Sequence, residues 1–352
     1  MNHDGIEYVP AGCLPDAAAR IIGQTAHDRL FVLTDDTTSR LCLPLLGAGT
    51  LDGAAAITIP HGDENKTPDT LQRVWTALSD GGATRHSLLI NIGGGMVTDL
   101  GGFAAATFKR GIPFVNLPTT LLAMVDASVG GKTGINFNGL KNEVGAFATP
   151  AATLIHAPML ATLPDSQVCS GYAEMIKHAL LDDAAHLAAV MQADLDGCTG
   201  DGWLALISRS VDVKCRFVSR DPREQGLRKA LNLGHTAGHA FESLAMHRAR
   251  PVPHGYAVAW GLMVALYISA ARLHFPTVPL RQVTRLLAET YGRPPVTCDD
   301  YDRLLDYMTH DKKNAGGNIN LTLLAGIGDV RLDQHADKDL IFEAFDFARE
   351  GF

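Results

Sequence analysis

Apolar positions in the first half of the chain come in short runs, each closed by glycine, proline or aspartate. Leu30 to Thr34 reads as a buried strand ending at Asp35-Asp36. Ala54 to Ile59 reads as a second, ending at Pro60-His61-Gly62, and Leu88 to Ile92 as a third, running into Gly93-Gly94-Gly95. Pro68 to Leu78 and Val97 to Phe108 carry helical spacing, and Pro113 to Leu117 is again strand-like. Strands apolar throughout must be buried on both faces, so this alternation predicts an α/β domain with a parallel sheet covered by helices.

The pattern changes in the second half. Helical spacing runs through Ser166 to Ala193, Trp203 to Ser219, Leu231 to Ala245, Ala257 to Arg272 and Leu280 to Glu289. Strand signals are few, and Ile319 to Leu324 is the clearest. Proline cannot continue a preceding element, so the boundary is set at Leu163-Pro164. That gives a parallel-sheet domain over 1–163 and a mainly α-helical domain over 164–352, with Asp194 to Asp201 as a loop.

The chain has 352 residues, of which 46% are hydrophobic and 19% charged, enough for a substantial core. A net charge of −8 argues against a nucleic-acid partner, which needs a basic surface. The six cysteines form no C-x-x-C pair and read as reduced thiols. MNHDGIEYVPAG lacks the basic and apolar regions of a signal peptide. The apolar stretch Ala257 to Ala271 reads as too short and interrupted to span a bilayer. A cytoplasmic protein is expected.

Two places carry candidate chemistry. The segment LLINIGGGMVTDLGGFAAA is a strand, a glycine turn and a helix, in which glycines admit a pyrophosphate and the helix offers free N–H groups. Asp99 is expected in its first turn, where the dipole favours a carboxylate. The turn lacks the G-x-G-x-x-G fingerprint, and a ligand loop and a plain tight turn stand level. Gly130-Gly-Lys-Thr133 is not a P-loop, because Asp126 stands where glycine is needed. Asp126 to Gly145 reads as a loop, either solvated or closing over an anion.

The second place is metal-like. Gly234-His-Thr-Ala-Gly-His239 puts two imidazoles at i and i+4 on one helix face, without the glutamate of a zincin. His254 opens the next long helix, and Glu174 lies in SGYAEMIKHALL with Lys177 at i+3. One carboxylate and two imidazoles with an open position suit catalytic zinc, though spacing does not show that they converge. The bland alternatives are an exposed Glu174–Lys177 pair and a solvated Lys214.

GGGMVTDLGGFAAATFKRG, LPTTLLAMVDASVGGKTGIN, LKNEVGAF, GYAEMIKHALL, RKALNLGHTAGHAFE, HGYAVAWG and HDKKNAGG together resemble the 3-dehydroquinate synthase family of sugar phosphate cyclases. The blocks keep the family's order from about His61 to Gly328. The resemblance implies a Rossmann-like NAD domain followed by a helical metal domain, a homodimer, and a site between the domains.

It also implies roles. Glu174, His235 and His254 would hold zinc, with cobalt able to substitute. NAD+ would be lined by Asp35, His61, Gly62, Asp63, Lys66, Gly93, Gly94, Gly95, Met96, Val97, Thr98, Asp99, Thr119, Thr120, Met159, Leu160, Ala161 and Thr162. Lys132 and Lys141 would lie close to both cofactor and substrate. Asp126, Lys177, Lys214, Arg228 and Asn232 would contact substrate hydroxyls and carboxylate. Lys132, Asn142, His239 and a lysine of the pair Lys312 and Lys313 would surround the phosphate, with Arg110 reaching the phosphate of the neighbouring subunit. His239 would relay protons. The chain departs from the pattern at Thr37, where asparagine is expected, at Asp63, where glutamate is common, and at Tyr256, where glutamate is frequent.

The implied reaction converts 3-deoxy-D-arabino-heptulosonate 7-phosphate to 3-dehydroquinate and phosphate by transient oxidation, elimination, re-reduction and aldol closure. A cyclase acting on another sugar phosphate, a metal-dependent polyol dehydrogenase and a non-catalytic cofactor-binding module are the rivals. Arg228 and Asn232 favour the carboxylate-bearing substrate.

Overall fold

Leu30–Asp35 and Leu88–Gly93 are buried at every position, and each lies between two other strands. These are the central strands of the parallel sheet that the apolar runs predict. The computed structural model of the protein describes residues 5–309 and 319–351. It divides into two compact units, Met1–Pro164 with Asp194–Asp212 and Asp165–Ala193 with Val213–Phe352. Packing thus groups Asp194–Asp212, which a single boundary at Leu163-Pro164 leaves in the second domain, with the first unit.

The first unit runs β1 (Ile6–Tyr8), α1 (Leu14–Gln24), β2 (Leu30–Asp35), α2 (Thr38–Leu41), β3 (Ala55–Ile59), α3 (Pro68–Asp80), β4 (Leu88–Gly93), α4 (Gly95–Thr107), β5 (Phe114–Pro118), β6 (Lys132–Phe137), β7 (Leu140–Phe147) and β8 (Ala152–Ile155). Six strands form one sheet in the order β1-β8-β5-β4-β2-β3, parallel throughout. α3 starts on a Thr67 cap, whose side chain accepts from the Thr70 amide, and has proline in its first turn. Its face of Leu71, Val74 and Leu78 packs with Phe31, Leu89, Leu100 and Phe103 in one core.

β6 and β7 form an antiparallel hairpin where the sequence suggested a loop. The deciding signal is Asn138-Gly139, both at positive φ (50° and 76°). Such a pair twists two strands the right way for a tight turn. Ile135 anchors the hairpin in the core.

The second unit runs α5 (Asp165–Leu180), α6 (Ala184–Met191), then, after helix α7 (Asp201–Arg220), α8 (His235–His247), α9 (His254–Leu273), α10 (Thr277–Tyr291), α11 (Tyr301–Thr309), β9 (Leu321–Gly326), β10 (Asp329–Gln334) and α12 (Lys338–Glu350). α7 is divided between the units at Asp212 and Val213. α9 is central, packed by α5, α8, α10, α12 and β9. Contrary to the expectation for Ala257 to Ala271, this helix is long and apolar enough, by length and composition, to cross a membrane. Most of it is buried inside the unit, as a core helix is. The run Leu231 to Ala245 is not one helix: a 3-10 turn ends at Asn232, and α8 starts after Gly234 at φ 77°.

Glycines set how closely these helices meet. A Cβ on Gly261 of α9 would fall 1.9 Å from the Gly234 carbonyl oxygen at the start of α8. One on Gly255 would fall 2.0 Å from the Ser170 carbonyl oxygen of α5. No side chain fits at either place.

Candidate metal centre and dinucleotide site

Those two close approaches bring three side chains of the second unit together. Glu174 lies one turn beyond Ser170 on α5, His235 is the first residue of α8, and His254 is the first of α9. Glu174 Oε1 is 3.4 Å from His235 Nε2 and 3.6 Å from His254 Nε2. Each of the three offers a donor atom within 4.8 Å of the others. Donors held tetrahedrally about a zinc ion at about 2.0–2.1 Å stand roughly 3.3 Å apart. The spacing is therefore that of ligands around an ion. Glu174 is fully buried, and among the described residues neither of its carboxylate oxygens receives a hydrogen bond of good geometry. The Lys177 ammonium stands against Oε2, while Oε1 faces the two imidazole Nε2 atoms, where a metal ion would complete its pairing. The donor set fits a divalent metal.

Charge around the trio is tightly organised. Lys177 lies against Glu174 Oε2 and is itself buried. This replaces the exposed pair considered from sequence. Burial pushes the Glu174 carboxyl up, but the Lys177 ammonium and His235 outweigh it and hold it well below the ordinary range. Burial, with the Lys177 ammonium nearby, lowers His235 to about 4. His235 Nδ1 is 3.2 Å from the Leu233 carbonyl oxygen, which orients the ring. Burial disfavours the His254 cation, but the Glu174 and Glu242 carboxylates overcome this and raise it to about 10. His239 completes the cluster, its ring centre 5.4 Å from that of His235 and 6.1 Å from that of His254.

The sequence reading missed Glu242. Its Oε2 is 3.5 Å from His254 Nδ1, and it is nearly buried. The available signal was its place seven residues after His235, two turns along the same face of α8.

Elsewhere in this unit Lys214 is buried rather than solvated, as is Arg228. Arg228 donates from Nη1 to the Pro222 carbonyl at 2.7 Å, and Asn232 Nδ2 donates to Glu224 Oε1 at 2.8 Å. Asp221 shapes the approach by accepting from the amides of Gln225, Gly226 and Arg228. Lys312 and Lys313 lie outside the described residues.

In the first unit the strand order reverses between β2 and β4, and open α/β sheets bind ligands beyond the carboxyl ends at such a point. Asp35 ends β2 and Gly93 ends β4. Asp35 Oδ1 accepts from the amides of Thr37 and Thr38 at 2.9 and 2.7 Å, turning the chain into α2. Gly94 caps α4, and a Cβ there would meet Thr120 at 2.9 Å. Beside it the buried Thr119 Oγ1 has no hydrogen-bond partner among the described residues. A helix start, a glycine cradle and an orphaned hydroxyl at the switch point fit a dinucleotide.

Gly95, Met96, Val97 and Thr98 form the first turn of α4. Asp99 falls in the second turn, contrary to expectation, because α4 starts at Gly95. Its charge is matched by Lys66, whose Nζ donates to Asp99 Oδ2 at 2.9 Å. Lys66 also lies 3.6 Å from Asp63, which in turn lies 3.4 Å from Lys141. Burial pushes Asp63 up, and Lys66 and Lys141 more than reverse this. His61 pairs with exposed Asp36 at 2.7 Å, and Gly62 turns the chain at φ 97°. Met159 and Leu160 are buried in a short 3-10 turn with Ala161 and Thr162. Asp126 lies in a π-helical turn, Lys132 opens β6, and Asn142 sits on β7 at φ 51°. Arg110 is exposed at φ 68° in the turn after α4.

Comparison with known proteins decides the family. Residues 56–170 match the model of the 3-dehydroquinate synthase N-terminal domain, and residues 171–314 match the C-terminal one. The chain belongs to the 3-dehydroquinate synthase family. A 3-dehydroquinate synthase of Parabacteroides distasonis is 51% identical over 93% of this chain and 93% of that protein. Among solved structures, 2-epi-5-epi-valiolone synthase from Streptomyces hygroscopicus subsp. jinggangensis, with NAD+ and Zn2+ bound, is 26% identical. It superposes with a TM-score of 0.83 over 99% of this chain and 97% of that one. A 2-deoxy-scyllo-inosose synthase shares the fold at a TM-score of 0.83 and 23% identity, covering 97% and 96%.

Proposed function

We propose that this protein carries out the family reaction, converting 3-deoxy-D-arabino-heptulosonate 7-phosphate to 3-dehydroquinate and phosphate. The observation that carries the reading is the meeting of Glu174, His235 and His254 in a chain 51% identical to a 3-dehydroquinate synthase. It is a carbon–oxygen lyase that uses NAD+ and a divalent metal, zinc or, in its place, cobalt. Glu174, His235 and His254 hold the ion. Asp35, the turn from His61 to Lys66, the segment Gly93 to Asp99, Thr119, Thr120 and the segment Met159 to Thr162 line the dinucleotide. When bound, the metal polarises a substrate hydroxyl and NAD+ accepts and later returns its hydride.

The chain's own residues bind and orient. Arg228, buried and fixed by Pro222, is suited to the planar substrate carboxylate, with Asn232 at the end of the same 3-10 turn. Asp126, Lys177 and Lys214 contact substrate hydroxyls. Lys132, Asn142, His239 and a lysine of the pair Lys312 and Lys313 surround the phosphate, supplying locally the positive field that the acidic chain lacks. Lys141 serves cofactor and substrate together. His239 moves protons at its ring nitrogens. The protein works as a homodimer in which the exposed Arg110 reaches the phosphate of the neighbouring subunit.

The test is to incubate the purified protein with heptulosonate phosphate and catalytic NAD+. Phosphate release without accumulating NADH is expected, and chelator abolishes it. Steady NADH production from glycerol would overturn the reading.

A further inference from the structure

We infer that Glu242 is a positioning residue of the metal centre, an outer carboxylate that fixes the His254 ring so that its Nε2 faces the ion. Three observations converge. Glu242 Oε2 lies 3.5 Å from His254 Nδ1, the nitrogen on the far side of the ring from Glu174. Glu242 is only 6% exposed, and a buried carboxylate is costly to keep without a charged partner. It stands two turns after His235 on α8, so one helix supplies both a ligand and the group that orients the next ligand.

The chemistry explains why the carboxylate matters. An imidazole has two nitrogens, and the one that binds metal must be unprotonated. A carboxylate at Nδ1 keeps the proton there, leaves Nε2 as the donor and raises the basicity of the ring. His235 is oriented differently, by a backbone carbonyl at 3.2 Å. The two imidazoles therefore differ in donor strength, and His254 is the stronger. His254 is also the less buried, with 29% of its side chain exposed against 12% for His235. It is the ligand most in need of an outside restraint.

This inference rests on the metal reading above, and the experiment separates the two. Zinc affinity is measured by competition with a chromophoric chelator for the wild type, Glu242→Gln and Glu242→Ala, and the cobalt-loaded proteins are compared by visible absorption. The wild type binds one zinc per chain. Glu242→Gln keeps the size and polarity of the side chain but loses the charge; it weakens zinc by about 10- to 100-fold and shifts the cobalt bands, with an unchanged far-ultraviolet dichroism spectrum. Glu242→Asp recovers part of the affinity. Equal affinity and identical cobalt bands in wild type and Glu242→Gln would overturn the role of Glu242. Failure of the wild type to bind zinc would instead overturn the metal reading itself.

Discussion

The Gly255 amide donates to Ser170 Oγ at 3.0 Å, so closely that a Cβ on Gly255 would collide with the Ser170 backbone. His254 precedes that glycine, and Glu174 lies one turn beyond that serine. The contact between α5 and α9 is thus what lets a carboxylate on one helix meet an imidazole on the other. Gly255→Ala must force the two backbones apart. It is expected to cost about 1–3 kcal/mol of stability and to weaken zinc by about tenfold or more. Denaturant melts and chelator competition check this; unchanged values in both would show that the contact does not set the site.

Glu174→Ala removes the carboxylate oxygen that lies close to both imidazoles. The variant is expected to purify without stoichiometric zinc and without turnover. Elemental analysis is the measurement, and retained zinc would show that the ligand set is wrong.

Lys177 offers a test that needs no substrate. Its ammonium is the close countercharge of fully buried Glu174. Removing one partner of such a pair costs about 3–5 kcal/mol. Lys177→Met without metal should melt far below the wild type. Saturating zinc should restore much of the loss, because a ligand at about 1,000 times its Kd adds about 4 kcal/mol. A metal-free variant as stable as the wild type would refute the pairing.

His156 links stability to pH. It is buried between β8 and the segment after β1, its Nδ1 2.9 Å from the Val9 carbonyl oxygen, and burial lowers its pKa below the ordinary 6.5. The folded value lies below the unfolded one, so the neutral ring contributes stability that is complete above 6.5 and lost as pH falls through 6.5 toward the folded pKa. His156→Gln should flatten this slope. Urea midpoints of both proteins between about pH 7.5 and about pH 5 decide it; parallel curves would remove His156 as the cause.

Much of the sheet was legible because β2, β3, β4 and β5 are apolar runs with sharp ends. β1 and β8 were harder, being only three and four residues long. The hairpin β6–β7 was obscured by its composition: β7 is exposed at nearly every position, so no alternation marks it. Asn138-Gly139 stood in plain view as its turn. The metal residues could be named from spacing and resemblance, but their convergence could not, since it depends on Gly255 and Gly261 meeting backbone from other helices. Glu242 was missed because a glutamate on a helix is ordinarily solvated. Only its burial against His254 reveals it.

Helix α9 carries a further consequence, for how the protein is made. Its twenty residues are apolar on nearly every side because α5, α8, α10, α12 and β9 all pack on it. Three of those partners, α10, β9 and α12, follow it in the chain. Until those later elements are made, only α5 and α8 are available to cover α9. Apolar surface left uncovered is where nascent chains stick to one another. The helix that presents His254 thus keeps part of its apolar surface uncovered until the elements after it are made.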